Sequence, residues 1–426
     1  MNKHDSIKLF PARLEGQLEV PTSKSLTHRA LICAALAKGT STISDVVLSD
    51  DIRATLSALE QIGARIEIND DSVDIRGIKS LKAPNEAIDC NESGSTLRFL
   101  IPLLSLTGKE VVFTGKPSLL RRPQSVYEDL FRQDHIVFEH DNDKIVVNGS
   151  IKARRYFVDG TVSSQFFTGL MFALPLLNED SYIHIKGHLE SRSYIQLTIQ
   201  MLEHFGVTVT EIENGYYIPG NQSYEPFDYR VEGDYSQAAF FLVGGILNGN
   251  VTVHNLSHES RQGDQAIIDI IKRMKGRLIF MEDGLIANKS TTNAAKIDIA
   301  DCPDLGPIVA LLGSLSKGTT TIVNAGRLRL KESDRIESTV ATLQALGANI
   351  RSKGDEIIIH GKSSLTGGTV DSYNDHRIAM MVAIASIVSE QPIVLHRANA
   401  VTKSYPHFFD DFRKLGGSFL EGVDES

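Results

Sequence analysis

The chain has 426 residues, 42% of them hydrophobic and 23% charged, and carries a formal net charge of −9. That length exceeds one ordinary core and calls for two or more domains. The negative balance argues against general nucleic-acid binding, where a basic footprint is expected, but not against a small anionic substrate gathered by local cations.

Cys33, Cys90 and Cys302 are far apart and form no CxxC pair. A reducing compartment fits, and neither a disulfide framework nor a zinc site is expected. The opening MNKHDSIKLF has no apolar signal core, and the longest apolar runs, such as Ile378–Val388, fall short of a membrane span. The chain therefore reads as cytoplasmic, with no membrane partner. It holds neither a Walker GxxxxGK[ST] nor a GxGxxG motif.

In chain order, one unit recurs six times. Each copy opens on a polar segment that leads into an apolar helix: Ser23-Lys24-Ser25, Ser93-Gly94-Ser95, Ser163-Ser164-Gln165, Tyr235-Ser236-Gln237, Pro303-Asp304 and Asp375-His376-Arg377. The openings lie about 70 residues apart, one compact α/β subunit each. A β-like run, an amphipathic helix and a further β-like run complete each copy, as in GTTTIVNAGRLRLKESDRIESTVATLQALGANI. Alternating β-branched residues predict the strands, and Ile/Leu spacings of three and four predict the helices. Six such units can form one ring or two three-unit domains. Pro21 and Tyr224–Asp228 mark the crossings, which gives one domain over 20–230 and another over 1–19 plus 231–426. Equivalent helix N-termini would then gather anions, each worth roughly 0.3–1 kcal/mol when exposed.

The openings differ in what they offer. Lys24 and Arg29 with two hydroxyls suit a phosphoester, although a capped helix with surface charges has the same composition. Gly94 permits close backbone approach to a ligand. Arg121-Arg122-Pro123 predicts a helix start with Pro123 at its first position and two guanidiniums beside it. Ser163-Ser164-Gln165 offers hydrogen bonds or only a cap. Asp304 precedes a very apolar helix, as an N-cap or as a general base; burial would raise its pKa and nearby cations would oppose that. Arg327, Arg329, Lys331, Arg335 and, further off, Lys317 stand near Glu332 and Asp334, just before a helix capped by Ser333 or Asp334 and ended at Gly347. Asp375 reads as orienting a neighbour, Arg377 as facing a ligand.

The segments PTSKSLTHRALI, SGSTLRF, RRP, VSSQF, PDLGP, LKESDR, NDHR and TKSYP, in this order from Lys24 to Pro406, resemble the EPSP synthases (3-phosphoshikimate 1-carboxyvinyltransferases). Each motif is weak alone; the ordered set is specific. The resemblance implies an α/β fold of two domains, each of three βαβαββ-type units, with the active site in the inter-domain cleft. It implies transfer of the enolpyruvyl group of phosphoenolpyruvate to the 5-hydroxyl of shikimate 3-phosphate by a monomer that needs no metal or organic cofactor. By the same carry-over, Lys24 touches both substrates. Ser25, Arg29, Ser163, Ser164, Gln165, Ser191, Asp304 and Lys331 hold shikimate 3-phosphate. Gly94, Arg122, Gln165, Arg335, Arg377 and Lys403 surround phosphoenolpyruvate. Asp304 is the base for the hydroxyl, and Glu332 the acid for the methylene with Lys24 assisting.

Three positions depart from the commonest family pattern: Glu92 stands where Asn is common, Phe99 where Pro is frequent, and Arg327 where an Asn often contacts shikimate 3-phosphate. Two rival readings follow from related architecture. The UDP-N-acetylglucosamine enolpyruvyltransferases resemble this fold, but typically carry Cys or Asp in the loop that here reads GKPSLLR, and Lys-Asn in place of Lys24-Ser25. A six-repeat DNA clamp needs cations along inner helices, whereas these cluster at helix openings.

Overall fold

The computed structural model describes residues 5–189 and 191–422. The chain divides into two compact units, one running from Thr22 to Val231 and the other made of the segment up to Pro21 together with the segment from Glu232 onward. Each unit has its own hydrophobic core, one around Leu31, Leu100 and Phe167, the other around Phe241, Leu311 and Met381.

Six four-stranded sheets are present among the described residues, and all six share one pairing pattern. Two outer strands pair in parallel at one edge, and two further strands complete the sheet in antiparallel register, as a hairpin in all but the sheet of Ile7–Phe10. In one example, Ile297 faces Ile322 across the parallel pair and Thr321 faces Ile358 across the antiparallel one. The repeat is not laid out sheet by sheet along the chain. Leu14–Glu19 pairs in parallel with Gly249–His254, and Ile7–Phe10 sits between Ile393–His396 and Ser418–Glu421. Tyr229–Arg230 returns to pair with Ile43 and Ser44. The strands beside the two crossings therefore complete sheets whose other strands are distant in sequence.

Each unit's inner helices are apolar on every side, so they are stable only when buried. In Tyr235–Asn248 the residues from Tyr235 to Ile246 are all buried, as are Ile378–Ser386 of the helix His376–Ser386. The second helix of each repeat is one-sided. Ala266–Arg273 buries Ile267, Ile268, Ile270 and Ile271 and leaves its charged residues outward. A buried helix needs partners for its first N–H groups, and the polar openings supply them at all the inner helices but Gly306–Ser314. Ser23 and Ser93 cap the first and second inner helices, Ser163 the third, Asp234 the fourth and Asp375 the sixth.

Two local expectations need correction. Pro123 is not the first residue of a helix, because Gln124 has φ −118° and ψ 12° and the helix begins at Ser125. Arg121 instead closes the short helix Pro117–Leu120, which turns Arg121 outward and Arg122 inward. Asp304 is not a cap either. It lies inside the turn Pro303–Leu305, and its carboxylate reaches cations on other segments.

Candidate active site

Two constellations of polar side chains stand out, one in each unit. In the unit Thr22–Val231, helix α1 (Lys24–Leu36) begins on the cap Ser23, whose Oγ accepts from Leu26 N at 3.4 Å. Lys24 and Ser25 form its first turn. The ammonium of Lys24 donates to Asp51 Oδ2 at 2.7 Å, and Asp51 lies in the first turn of α2 (Asp50–Gln61). Arg29 is buried one turn deeper. Its Nε donates to Thr198 Oγ1 at 2.8 Å, Nη2 to Tyr194 O at 3.0 Å and Nη1 to Ser25 O at 2.6 Å, and the guanidinium lies 5.2 Å from the Phe99 ring centre. Burial draws the Arg29 pKa down to about 10, so it stays cationic at neutral pH.

The second part of this constellation gathers on α3 (Gly94–Ser105) and the helix Ser164–Ala173. Gln165 Oε1 accepts from Arg98 Nη1 at 2.9 Å, and its Nε2 donates to Ser95 Oγ at 3.1 Å. Arg98 Nη2 donates to Pro123 O at 2.9 Å, which fixes the chain just after Arg122. A Cβ on Gly94 would stand 3.0 Å from Arg122 Nη1 and 3.3 Å from Gln165 Oε1, so Gly94, Arg122 and Gln165 enclose one point. Arg122 is buried, and its Nε and Nη2 have no protein partner. Two unmet guanidinium donors in a buried place suit a bidentate oxyanion. Ser163 and Ser164 open their helix close to this point, and both are buried. Ser191 is fully buried with left-handed backbone (φ 54°, ψ 42°) at the head of the helix Arg192–His204. Such a conformation in a residue other than glycine persists only where its surroundings hold it.

The other unit carries a charge network. Arg335, 1% exposed, opens the helix Arg335–Ala345, whose cap Asp334 accepts from Ile336 N and Glu337 N at 3.1 and 3.2 Å. Its guanidinium meets three carboxylates: Asp375 at 2.7 and 3.1 Å, Asp304 at 2.9 Å and Glu332 at 2.5 Å. Asp304 also accepts from Lys331 Nζ at 3.0 Å on Oδ1 and from Arg377 Nη2 at 3.0 Å on Oδ2. Arg377 further donates to Ser236 Oγ at 2.9 Å, and Lys403 donates to Asn374 O at 2.5 Å. Asp375 caps the helix that starts at His376, accepting from Arg377 N at 2.9 Å.

These contacts set the proton affinities. Burial favours the neutral form of Asp304, but Arg377, Lys331 and Arg335 outweigh it and hold the carboxyl well below the usual carboxylate range. Burial also lowers Lys331; Asp304 raises it, while Arg327 and Arg335 push it down, and the net shift is downward. Burial works against the charge of Arg335 too, yet Asp375, Glu332 and Asp304 raise its pKa, so its cation is permanent.

Asp304, Glu332, Lys331, Arg335 and Arg377 thus form one cluster, with Lys403 held on Asn374. Lys24, Ser25 and Arg29 share α1, and Gly94, Arg122 and Gln165 meet at the start of α3. Of the cations before the helix at Arg335, Arg329 faces away to Asp334, Glu337 and Asp355. Sequence reasoning passed over Arg98, Ser95, Asp51 and Ser236 as site-shaping residues. Ser95 and Ser236 lie within the polar openings already marked, so position in the repeat was a usable signal for both; Asp51 carried none. Among the described residues no group of three or more His, Cys, Asp and Glu side chains is placed to hold a metal ion, and no helix is long and apolar enough to cross a membrane. All three cysteines are buried free thiols.

The family model for EPSP synthase (3-phosphoshikimate 1-carboxyvinyltransferase) matches residues 10–412. The chain belongs to the EPSP synthase family. It is 46% identical over 428 residues to a 3-phosphoshikimate 1-carboxyvinyltransferase of Clostridium novyi, covering 97% of this chain and 98% of that one. A protein of the same name from Clostridium kluyveri is 46% identical over 418 residues, with the same coverages. Among solved structures, an EPSP synthase from Acinetobacter baumannii superposes with a TM-score of 0.82 at 25% identity, covering 98% of this chain and 99% of that one. Nothing in this membership favours the UDP-N-acetylglucosamine enzyme or the DNA clamp. The two-domain, six-repeat architecture is that of the EPSP synthases.

Proposed function

We propose that this member of the EPSP synthase family transfers the enolpyruvyl group of phosphoenolpyruvate to the 5-hydroxyl of shikimate 3-phosphate and releases phosphate. The carrying observation, beside family membership, is Asp304: an ionised carboxylate among three cations, with Glu332 on the same arginine. An arriving phosphate or carboxylate competes with Asp304 for Lys331, Arg335 and Arg377. As those cations are shared, the Asp304 carboxylate gains proton affinity, and it becomes a better base when the substrates are in place.

In this reading Lys24, Ser25, Arg29, Ser163, Ser164, Gln165, Ser191, Asp304 and Lys331 hold shikimate 3-phosphate. Gly94, Arg122, Gln165, Arg335, Arg377, Lys403 and Lys24 hold phosphoenolpyruvate. Asp304 takes the proton of the 5-hydroxyl as its oxygen bonds to C2 of phosphoenolpyruvate. Glu332 takes up a proton from solvent as the arriving anion shares Arg335 and, with Lys24 assisting, gives it to the C3 methylene, which becomes a methyl group. The resulting tetrahedral intermediate returns a methyl proton to Glu332 and expels phosphate, which takes up the proton held on Asp304, and the enol double bond is restored. The unmet donors of Arg122 supply charge-matched contacts for one anionic end.

The deciding assay measures phosphate released from phosphoenolpyruvate with shikimate 3-phosphate in one tube and UDP-N-acetylglucosamine in another. Release in the first alone is expected. Release only in the second, or in neither, overturns the reading.

A further inference from the structure

A buried chain of hydrogen bonds runs across α1, α2 and α3 beneath Lys24. His28, 1% exposed, lies one turn below Lys24 on α1. Its Nδ1 is 2.8 Å from Thr55 Oγ1, Thr55 Oγ1 is 2.7 Å from Thr96 Oγ1, and Thr96 Oγ1 donates to Ser93 Oγ at 2.7 Å. Ser93 is the cap of α3, accepting from Thr96 N at 3.1 Å, and Gly94 follows it directly.

Thr96 has one hydroxyl proton and spends it on Ser93. Thr55 must then donate to Thr96, and having one proton it must accept from His28. His28 therefore carries its proton on Nδ1. Its Nε2 is a bare acceptor, and that atom is indeed buried without a partner. Burial first, then the charges of Lys24 and Arg29, hold the imidazole well below its ordinary pKa, so it is neutral. The spacing is also regular. Lys24 and His28 are four apart on α1, Asp51 and Thr55 four apart on α2, and the two pairs face each other, one as an ion pair and one as a hydrogen bond.

We propose that His28 is a positioning residue: as the Nδ1–H tautomer it fixes, through Thr55 and Thr96, the Ser93 cap that presents Gly94 in register with Lys24. Among the hydrogen bonds described, the Lys24–Asp51 ion pair and the His28–Thr55 bond tie α1 to α2, so loss of the chain removes the buried polar tie beneath the ion pair. This deepens the proposed function and rests on it for its kinetic consequence, not for the tautomer.

The test has two arms. Two-bond 1H–15N correlation spectra of protein labelled with 15N-histidine, with His28 assigned by its loss in His28→Gln, are expected to show protonated Nδ1 and unprotonated Nε2 without any substrate. Thr55→Val keeps the shape and removes the hydroxyl; it is expected to raise KM for phosphoenolpyruvate about three- to tenfold, the worth of one buried hydrogen bond. Thr55→Ser is expected to restore it. An Nε2–H tautomer in the wild type overturns the proposal. So does a Thr55→Val variant with unchanged KM, or one whose defect Thr55→Ser fails to rescue, since a purely structural role predicts a lower Tm without the kinetic split. If Thr55→Val does not fold, the spectrum of the wild type still decides. Absence of turnover in the wild type would remove the proposed reaction and leave the tautomer result standing.

Discussion

Replacing Asp304 by Asn tests its proposed role as base, because Asn keeps the shape and removes the charge and the proton acceptor together. The carboxylate accepts three charge-assisted hydrogen bonds at 2.9–3.0 Å. Removing one partner of a buried ionic cluster costs about 3–5 kcal/mol. The lower end applies here, because Arg335 keeps Asp375 and Glu332. For turnover, loss of a general base costs about 10²–10⁴-fold, or roughly 2.7–5.4 kcal/mol of barrier. Binding should move the other way. With Asp304 neutral, Lys331, Arg335 and Arg377 lose an internal competitor and hold an external anion more tightly. The expected signature is a lower Tm without ligand, a larger stabilisation by shikimate 3-phosphate than in the wild type, and kcat down by at least a hundredfold. Differential scanning calorimetry and steady-state phosphate release read all three. A kcat within tenfold of wild type would mean that Asp304 is only a counterion, and the assignment of the base would fall.

Gly94→Ala places a Cβ 3.0 Å from Arg122 Nη1 and 3.3 Å from Gln165 Oε1. Both neighbours are ends of long side chains, so Tm should hold while KM for phosphoenolpyruvate rises about tenfold or more; an unchanged KM would clear Gly94 of contact with the ligand. Lys331 has a pKa below its ordinary 10.5, chiefly through burial, so the alkaline limb of kcat/KM should fall below that pH, and Lys331→Arg should move the limb upward. Identical limbs in the two proteins would exclude Lys331 as the titrating group. Asp304 has a folded pKa below its ordinary 3.8, so its stabilisation is complete above that value and is lost as pH falls through the folded pKa. The stability gap between wild type and Asp304→Asn, measured by denaturant unfolding, should therefore close below about pH 3.8; a gap independent of pH would contradict the lowered pKa.

The repeat was legible because a buried apolar helix needs partners for its first N–H groups, and a hydroxyl or carboxylate supplies them at every inner helix but the one at Gly306, which a short turn leads into instead. Ser23, Ser93, Ser163 and Asp375 are such residues, and each caps where the pattern places it. The proton affinity of Asp304 was not legible in the same way. Its cations come from 27, 31 and 73 residues further along, so local sequence shows the burial but not which charge wins. Arg98 was missed for a related reason: it meets Gln165 across 67 residues and reads locally as one more charge on a helix. The Arg121–Pro123 segment failed on phase. Whether Pro123 starts a helix depends on one dihedral pair at Gln124, and the short helix Pro117–Leu120 that Arg121 closes turns Arg122 inward.

The two constellations differ in charge, and the difference assigns their chemistry. Around Asp304 three cations face three carboxylates, Asp304, Glu332 and Asp375, so the cluster is close to neutral when empty. An incoming anion there must displace an internal one, and each displacement changes the proton affinity of a carboxylate. Around Gly94 and Gln165 the partners are hydroxyls, amides and guanidiniums without a matching set of acids. An anion bound at Arg122 Nε and Nη2 adds contacts without displacing a carboxylate. In the proposed reaction the carboxylates that exchange protons are those of Asp304 and Glu332, while Gly94, Arg122 and Gln165 orient the substrate. Arg122→Lys then gives the sharper contrast with Asp304→Asn: it should weaken binding of phosphoenolpyruvate while the pH profile of kcat stays that of the wild type. A shifted pH profile in Arg122→Lys would break the division of labour.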